Sequence, residues 1–284
     1  MSAMPGSLDR VYVTGASGFL GRRVCKALAD ACVQVVPVSR EPLSLRKNIV
    51  VRDYSDLMPE GPSSLVHLAE QASIPEADAA DLSQALKETL GALLAHEWSK
   101  VVYASSVAVY GFDDDWPHTE NEKCAPTGAY ARMKLENERA VLQRGGTALR
   151  FSNLIGTPVK PETVLGAVLG QLGGHEPVAL RSLAPIRDFL CADDAARAVV
   201  AALTAPPGIF NIASGESVSI GDLARLVLDH AGEPDRPLNS ATLNAERSVL
   251  RISIEAATSQ LGWSPQISLE DCLRGIQKDQ KGSL

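Results

Sequence analysis

The chain has no apolar run near the ~18 to 20 residues that span a bilayer, and its longest dense stretch, Ala195 to Leu203, is too short to cross one. It also lacks an excess of basic charge. A formal net charge of −7 argues against a nucleic-acid or anionic-membrane partner held by bulk electrostatics. Cysteine is sparse: Cys25, Cys32, Cys124, Cys191 and Cys272 are odd in number, scattered and without a CxxC pair. No His pair stands at metal-ligand spacing, so no disulfide framework and no metal site are expected, and the thiols are expected to be reduced and mostly buried. The opening Met1 to Arg10 carries Pro5, Gly6 and Asp9 in place of a basic stretch followed by an apolar core, which predicts no secretory signal and a cytoplasmic location. Internal repeats and low-complexity tracts are missing too.

What is present is an ordinary globular composition. With 284 residues, 45% hydrophobic and 21% charged, the chain suits one large α/β domain, alone or with a smaller lobe, and a mostly disordered state is excluded. Short apolar runs at Leu8–Thr14, Val33–Val38, Ile49–Val51, Ser64–Leu68 and Lys100–Tyr103 read as strands. Between them Phe19–Ala31 and Ala77–Trp98 carry apolar residues at helical spacing, and Tyr130–Gln143 is a further helix before the strand Thr147–Phe151. This alternation predicts a doubly wound parallel sheet. Pro37 sits awkwardly in the second strand because it cannot donate to the ladder, and a local irregularity is expected there. Beyond about residue 156, prolines punctuate shorter elements, with helices expected at Glu162–Leu172, Asp193–Leu203, Ser219–Ala231 and Leu269–Gln277.

The first strand ends in Thr14-Gly15-Ala16-Ser17-Gly18-Phe19-Leu20-Gly21, where the first helix begins. Glycines at this spacing let backbone N–H groups approach a pyrophosphate without Cβ obstruction, while the helix N-terminus adds partial positive charge. Between a β-branched strand and an amphipathic helix, the turn predicts a dinucleotide site with Gly15, Ser17, Gly18, Phe19 and Leu20 as its contacts. At the end of the second strand, where an NAD site usually carries Asp or Glu, stand Ser39 and Arg40. A hydroxyl beside a guanidinium suits a 2′-phosphate, so NADP(H) is favoured over NAD(H). Arg40 also reads as a surface cap. Asp53 is a candidate acceptor for the adenine amine or, equally, a solvated loop aspartate.

Tyr130 and Lys134 lie four residues apart and so share a helix face. A phenol ordinarily titrates near ~10, and a neighbouring ammonium lowers that value toward the range useful for proton transfer. A second hydroxyl from Ala104 to Gly111 is available to hold a carbonyl or alcohol against the phenol.

These motifs, in this order, resemble the extended short-chain dehydrogenase/reductases of the nucleotide-sugar epimerase, dehydratase and reductase group, from about Val11 to Trp263. Val66-His67-Leu68-Ala69 is similar to the family's segment after the fourth strand, which makes Leu68 and Ala69 cofactor-binding by resemblance. The register of Ser105-Ser106 to Tyr110-Gly111 implies Ser106 as the catalytic hydroxyl beside Tyr130 and Lys134, which also bind cofactor. Leu149 to Asn153 resembles the strand that leads to the sugar-nucleotide pocket, with Asn153 meeting substrate. Arg187-Asp188-Phe189-Leu190 followed by Asp193-Asp194 implies Arg187 near the diphosphate, with Arg247 a further candidate that reads as well as a solvated loop residue. The implied division is an NAD(P)-binding Rossmann domain, 1–156 with 186–212, and a nucleotide-sugar lobe, 157–185 with 213–284. A homodimer through the Ala77–Trp98 and Tyr130–Gln143 helices is implied as well. Departures from the pattern are Glu70 where Ala is frequent, Glu88 where an Asn aligns, Ser253 where Asp is common, and no glycine-rich turn before Arg187.

Three chemistries share such a site. Val107 and Ala108 follow Ser106 where the family's dehydratases carry an Asp-Glu pair, which speaks against dehydration. The Ser39-Arg40 pair favours an NADPH-dependent ketoreductase of a nucleotide sugar over a 4-epimerase, with a non-catalytic NADP-binding regulator as a third reading.

Overall fold

The structure is a computed structural model that describes residues 10–43, 48–70, 79–242 and 248–282. Its elements run β1 (Arg10–Thr14), α1 (Phe19–Asp30), β2 (Val35–Ser39), β3 (Ile49–Val50), β4 (Ser63–His67), α2 (Ala79–Leu94) and β5 (Lys100–Ser106). Then follow β6 (Asp113–His118), α3 (Gly128–Gln143), β7 (Thr147–Phe151), β8 (Asn153–Ile155), α4 (Val164–Leu169), β9 (Val178–Leu180), β10 (Ile186–Cys191) and α5 (Ala192–Thr204). The last are β11 (Ile209–Ile212), β12 (Ser217–Ser219), α6 (Ile220–Ala231), β13 (Leu238–Ser240), β14 (Val249–Ile252) and α7 (Leu269–Gly282).

Seven strands form one sheet in the order β11-β7-β5-β4-β1-β2-β3, every pair parallel. Its central strands are buried on both faces, and period-two alternation decides what each face receives. Val11, Val13, Val66 and Val102 join the core under α1 and α5, with Val24, Leu28, Val199 and Ala202. Tyr12, Leu65 and Tyr103 point the other way, into the core under α2 and α3, with Leu90, Leu93 and Val141. This is the doubly wound Rossmann sheet expected from the alternation of strands and helices.

The irregularity expected at Pro37 does not occur. β2 pairs with β1 in unbroken register, Val13 opposite Pro37. The bonds Val11 N–H to Gln34 O and Ala16 N–H to Val38 O show that even-numbered residues of β2 turn their backbone groups to β1. Pro37, odd-numbered, faces the β3 side, and β3 first pairs at Val38, so no ladder donor is missed.

A second core gathers Leu165 and Val168 of α4, Leu223 and Val227 of α6, and Leu273 and Ile276 of α7 against Phe189 and Cys191. Beside it stands a smaller sheet, β12-β10-β14-β6, with β8 paired to β10. Ala257, Leu261 and Trp263, on the lobe side of the division drawn from sequence, pack into the core of the large sheet. Among the described residues no helix is long and apolar enough to cross a membrane.

Candidate active site

Thr14, Ser39, His67 and Ser106 are the last residues of β1, β2, β4 and β5, so they meet along the carboxyl edge of the sheet, where α/β folds bind their ligands. The glycine turn crosses this edge. Gly15 adopts φ +70°, and a Cβ there would lie 3.0 Å from the backbone of Ala69. A Cβ on Gly21 would lie 2.1 Å from the Gly15 carbonyl oxygen, so the turn closes on α1 only with glycine in place. Gly18 N–H donates to Gly15 O at 2.9 Å, which fixes Ser17, Gly18, Phe19 and Leu20 at the helix start. Leu68 and Ala69, the segment assigned by resemblance, form the wall against Gly15. A cradle this narrow, with N–H groups at a helix N-terminus, fits a dinucleotide pyrophosphate.

At the tip of β2, Ser39 is buried and its hydroxyl donates to the Glu41 carbonyl, while Arg40 is exposed, its guanidinium 5.9 Å from the centre of the Tyr54 ring. Burial raises the Tyr54 phenol, opposed by Arg40 and by the Gly15 backbone. Tyr54 is not among the residues indicated by sequence, although it adjoins Asp53. Asp53 itself has a structural explanation: it caps the short 3-10 turn Tyr54–Asp56, accepting from the Ser55 backbone at 2.8 Å and the Ser55 hydroxyl at 2.7 Å.

Tyr130 and Lys134 occupy the first two turns of α3. Lys134 is buried, 4% exposed, and its Nζ donates to the Ala104 carbonyl at 2.6 Å and lies 5.6 Å from the centre of the Tyr130 ring. One turn later Glu138 accepts from the Ser105 hydroxyl. These two attachments dock α3 along β5. Tyr130 lies one turn nearer the start of α3 than Lys134, and Ser106 is the last residue of β5. The Ser106 hydroxyl accepts from Ala108 N–H at 3.2 Å, which fixes its oxygen as the cap of the turn Val107–Tyr110.

The departure at Glu70 is structurally consequential. Its carboxylate, 2% exposed, meets Lys134 Nζ at 2.6 Å and accepts from the Tyr103 hydroxyl and from Asn137 Nδ2, both at 2.8 Å. Burial alone would raise this carboxyl, but the Lys134 ammonium, with the Tyr103 hydroxyl donating to the carboxylate, holds it below its ordinary value. Burial alone would likewise lower the Lys134 ammonium, and Glu70 keeps it above. His67 Nε2 lies 3.7 Å from Glu70, and its Nδ1 is 2.8 Å from Thr14 Oγ1, which accepts from Leu68 N–H at 3.3 Å. With the Thr14 hydroxyl donating to Nδ1, the imidazole is neutral and protonated on Nε2. Burial drives its pKa down to about 4. Asn137 is one turn beyond Lys134, a helical spacing from which it was legible. Glu88, by contrast, is exposed and accepts from Gln84 of its own helix at 2.8 Å, away from this cluster.

On the substrate side, Asn153 Nδ2 donates to the Asp188 carbonyl at 2.9 Å. Arg187 lies over the Phe112 ring at 4.8 Å and donates to the Ser248 carbonyl at 2.9 Å and hydroxyl at 2.6 Å. The guanidinium is thus engaged within the protein. Arg247 lies outside the described residues.

A glycine cradle at a Rossmann edge, with a phenol and an ammonium one turn apart on α3, is the arrangement of a nicotinamide-dinucleotide enzyme of the extended short-chain dehydrogenase/reductase class. Residues 11–213 match the NAD dependent epimerase/dehydratase family, and the chain belongs to it. It is 30% identical to the GDP-6-deoxy-D-mannose reductase of Pseudomonas aeruginosa, over 95% of this chain and 97% of that one. It is 25% identical to the UDP-glucose 4-epimerase of Azospirillum brasilense, over 97% of this chain and 92% of that one. Among solved structures it is similar to RMD from Pseudomonas aeruginosa complexed with NADPH, with TM-score 0.82, 28% identity, and coverage of 97% of this chain and 100% of that one. The protein is therefore a nucleotide-sugar-modifying enzyme that uses NAD(P).

Proposed function

We propose that the protein is an NADPH-dependent reductase of a keto group in the sugar of a nucleotide diphosphate sugar, of the 4-ketoreductase type. The observation that carries this reading is the exposed Arg40 guanidinium at the tip of β2, available as a charge-assisted donor to a 2′-phosphate, whereas Ser39 beside it is buried with its hydroxyl donating to the Glu41 carbonyl. The likeness to a reductase and to a structure complexed with NADPH supports it.

When bound, the coenzyme supplies the hydride. Gly15, Ser17, Gly18, Phe19 and Leu20 hold its pyrophosphate, Leu68 and Ala69 line its ribose, and Lys134 holds the nicotinamide-ribose hydroxyls. Ser106, its oxygen fixed by Ala108 N–H, donates a hydrogen bond to the keto oxygen and orients it. Tyr130 gives its phenolic proton to the same oxygen as the alcohol forms. Asn153, Arg187 and Arg247 are proposed for the nucleotide sugar, Arg187 by exchanging Ser248 for the diphosphate. Pairing of two copies through α2 and α3 is part of the same reading.

A 4-epimerase is the second reading, supported by the Azospirillum relative. Incubation with NADPH and a keto nucleotide sugar separates the readings. Stoichiometric loss of nicotinamide absorbance supports the reductase; interconversion of sugars without net oxidation replaces it with the epimerase; binding alone leaves a regulator. Tyr130→Phe is expected to lower turnover by roughly 10²- to 10⁴-fold with NADPH affinity retained.

A further inference from the structure

Lys134 holds the nicotinamide-ribose hydroxyls in the proposed mechanism, and its charge also acts on the Tyr130 phenol, whose ring centre is 5.6 Å from its Nζ. An unopposed ammonium lowers the phenol beside it, which helps a tyrosine that must act as a base. A reductase needs the opposite: the phenol must still hold its proton when the keto sugar binds. Glu70 bears on this balance. It comes from the segment after β4, beside the glycine turn, yet its carboxylate reaches Lys134 on α3 at 2.6 Å.

We propose that Glu70 is a positioning residue for proton transfer: its carboxylate anchors the Lys134 ammonium and cancels part of its field, so that Tyr130 keeps its proton to higher pH. This deepens the reductase reading and rests on it. The geometry is that of a built site. Glu70 is 2% exposed on its side chain, and each oxygen has two partners, Tyr103 and Lys134 on Oε2, Asn137 and His67 on Oε1. Two of the three ammonium donors of Lys134 are taken, by Glu70 and by the Ala104 carbonyl. The charged and titratable groups facing the pair are His67 from β4, Tyr103 from β5, and Tyr130 and Glu138 from α3. His67 is neutral by its hydrogen bonds, and Glu138 is bound by Arg150, which leaves Glu70 as the effective counter-charge of Lys134. Once Glu70 is neutral, the Tyr130 phenolate becomes the nearest counter-ion available to the buried ammonium, and its proton leaves more readily.

The test is Glu70→Gln, which keeps acceptor and size and removes the charge. The phenolate absorbance of Tyr130, isolated by subtracting the same protein carrying Tyr130→Phe, is titrated without coenzyme or substrate. Its midpoint is expected about one pH unit below that of the wild type. The pH above which reduction slows is expected to fall by the same amount, and Glu70→Asp to restore both. Tyr103→Phe, which strips one donor from the carboxylate and leaves its charge less compensated, should move the midpoint upward and serves if Glu70→Gln does not fold. An unmoved midpoint, or one that rises in Glu70→Gln, overturns the proposal while turnover of a keto sugar leaves the reductase reading intact. A lowered midpoint in a protein that reduces no keto sugar upholds the ion pair and overturns the reading beneath it.

Discussion

At the scale of single residues, space decides most in the glycine turn. Gly21 has no room for a side chain, since a Cβ would meet the Gly15 carbonyl oxygen at 2.1 Å, whereas Gly91 on α2 has nothing within 4 Å. Gly21→Ala must open the turn and is expected to weaken binding of the reduced nicotinamide coenzyme about tenfold or more, about 1.4 kcal/mol, read by nicotinamide fluorescence. Gly91→Ala is expected to leave affinity unchanged and to stabilise α2 by about 0.5 to 1 kcal/mol. Equal affinities in the two variants would remove the cradle from the binding site. The turn was legible in the sequence because its message is local, as was the pairing of Tyr130 with Lys134 one helical turn apart. Glu70 stood out only as a departure. Its partners lie on β5 and α3, far along the chain, and no spacing rule brings them together before the sheet is assembled. Asp53 was ambiguous for the opposite reason: an aspartate two residues before a serine serves a turn or a ligand equally well, and here it caps the turn.

At the scale of elements, the placement of α3 decides where Tyr130 and Lys134 stand. A buried pair secures it: Arg150 of β7 donates from Nε and one Nη to the two oxygens of Glu138, at 2.9 and 2.8 Å, and from the other Nη to the Tyr110 hydroxyl at 2.8 Å. Both side chains are 2% exposed or less. Removing one partner strands the other charge, so Arg150→Met is expected to cost about 3 to 5 kcal/mol in urea unfolding. Arg150→Met with Glu138→Leu should recover most of that loss. A double variant as unstable as the sum of the two single ones would show that the charges are not coupled. Helices of this kind were legible from their apolar period, and Ser219 and Gly232 bound α6 where the sequence indicated, the serine hydroxyl capping Asp222 N–H and the glycine at φ +83°. Short strands were not. β6 reads DDDWPH and carries a proline, and its strand character comes from pairing with β14, a partner distant in sequence. The helix expected at Glu162–Leu172 is trimmed to Val164–Leu169 because Thr163 caps it and Gly170 ends it.

At the scale of the whole molecule, the same buried cluster links stability to acidity. His67 is held neutral, its pKa brought down to about 4 by burial, while an unfolded chain binds a proton there at the ordinary value near ~6.5. Between those two values the unfolded state carries more protons than the folded one, so stability rises with pH through the window and falls on acidification. The full span corresponds to about 3 kcal/mol, and about 2 kcal/mol is expected to be gone by about pH 5. Glu70, held below its ordinary value, adds to the loss at still lower pH, whereas Asp188, raised by burial against the donors of Ser214 and Gly215, works the other way. His67→Gln retains an acceptor for the Thr14 hydroxyl and has no proton to bind, so its urea midpoint should change little between neutral pH and about pH 5 where that of the wild type falls. Parallel slopes in the two proteins would mean that the imidazole is not the group being titrated. Because His67 closes the carboxyl edge of β4 between the glycine turn and Glu70, mild acid is expected to loosen the coenzyme site together with the fold, and bound coenzyme to oppose the loss by mass action.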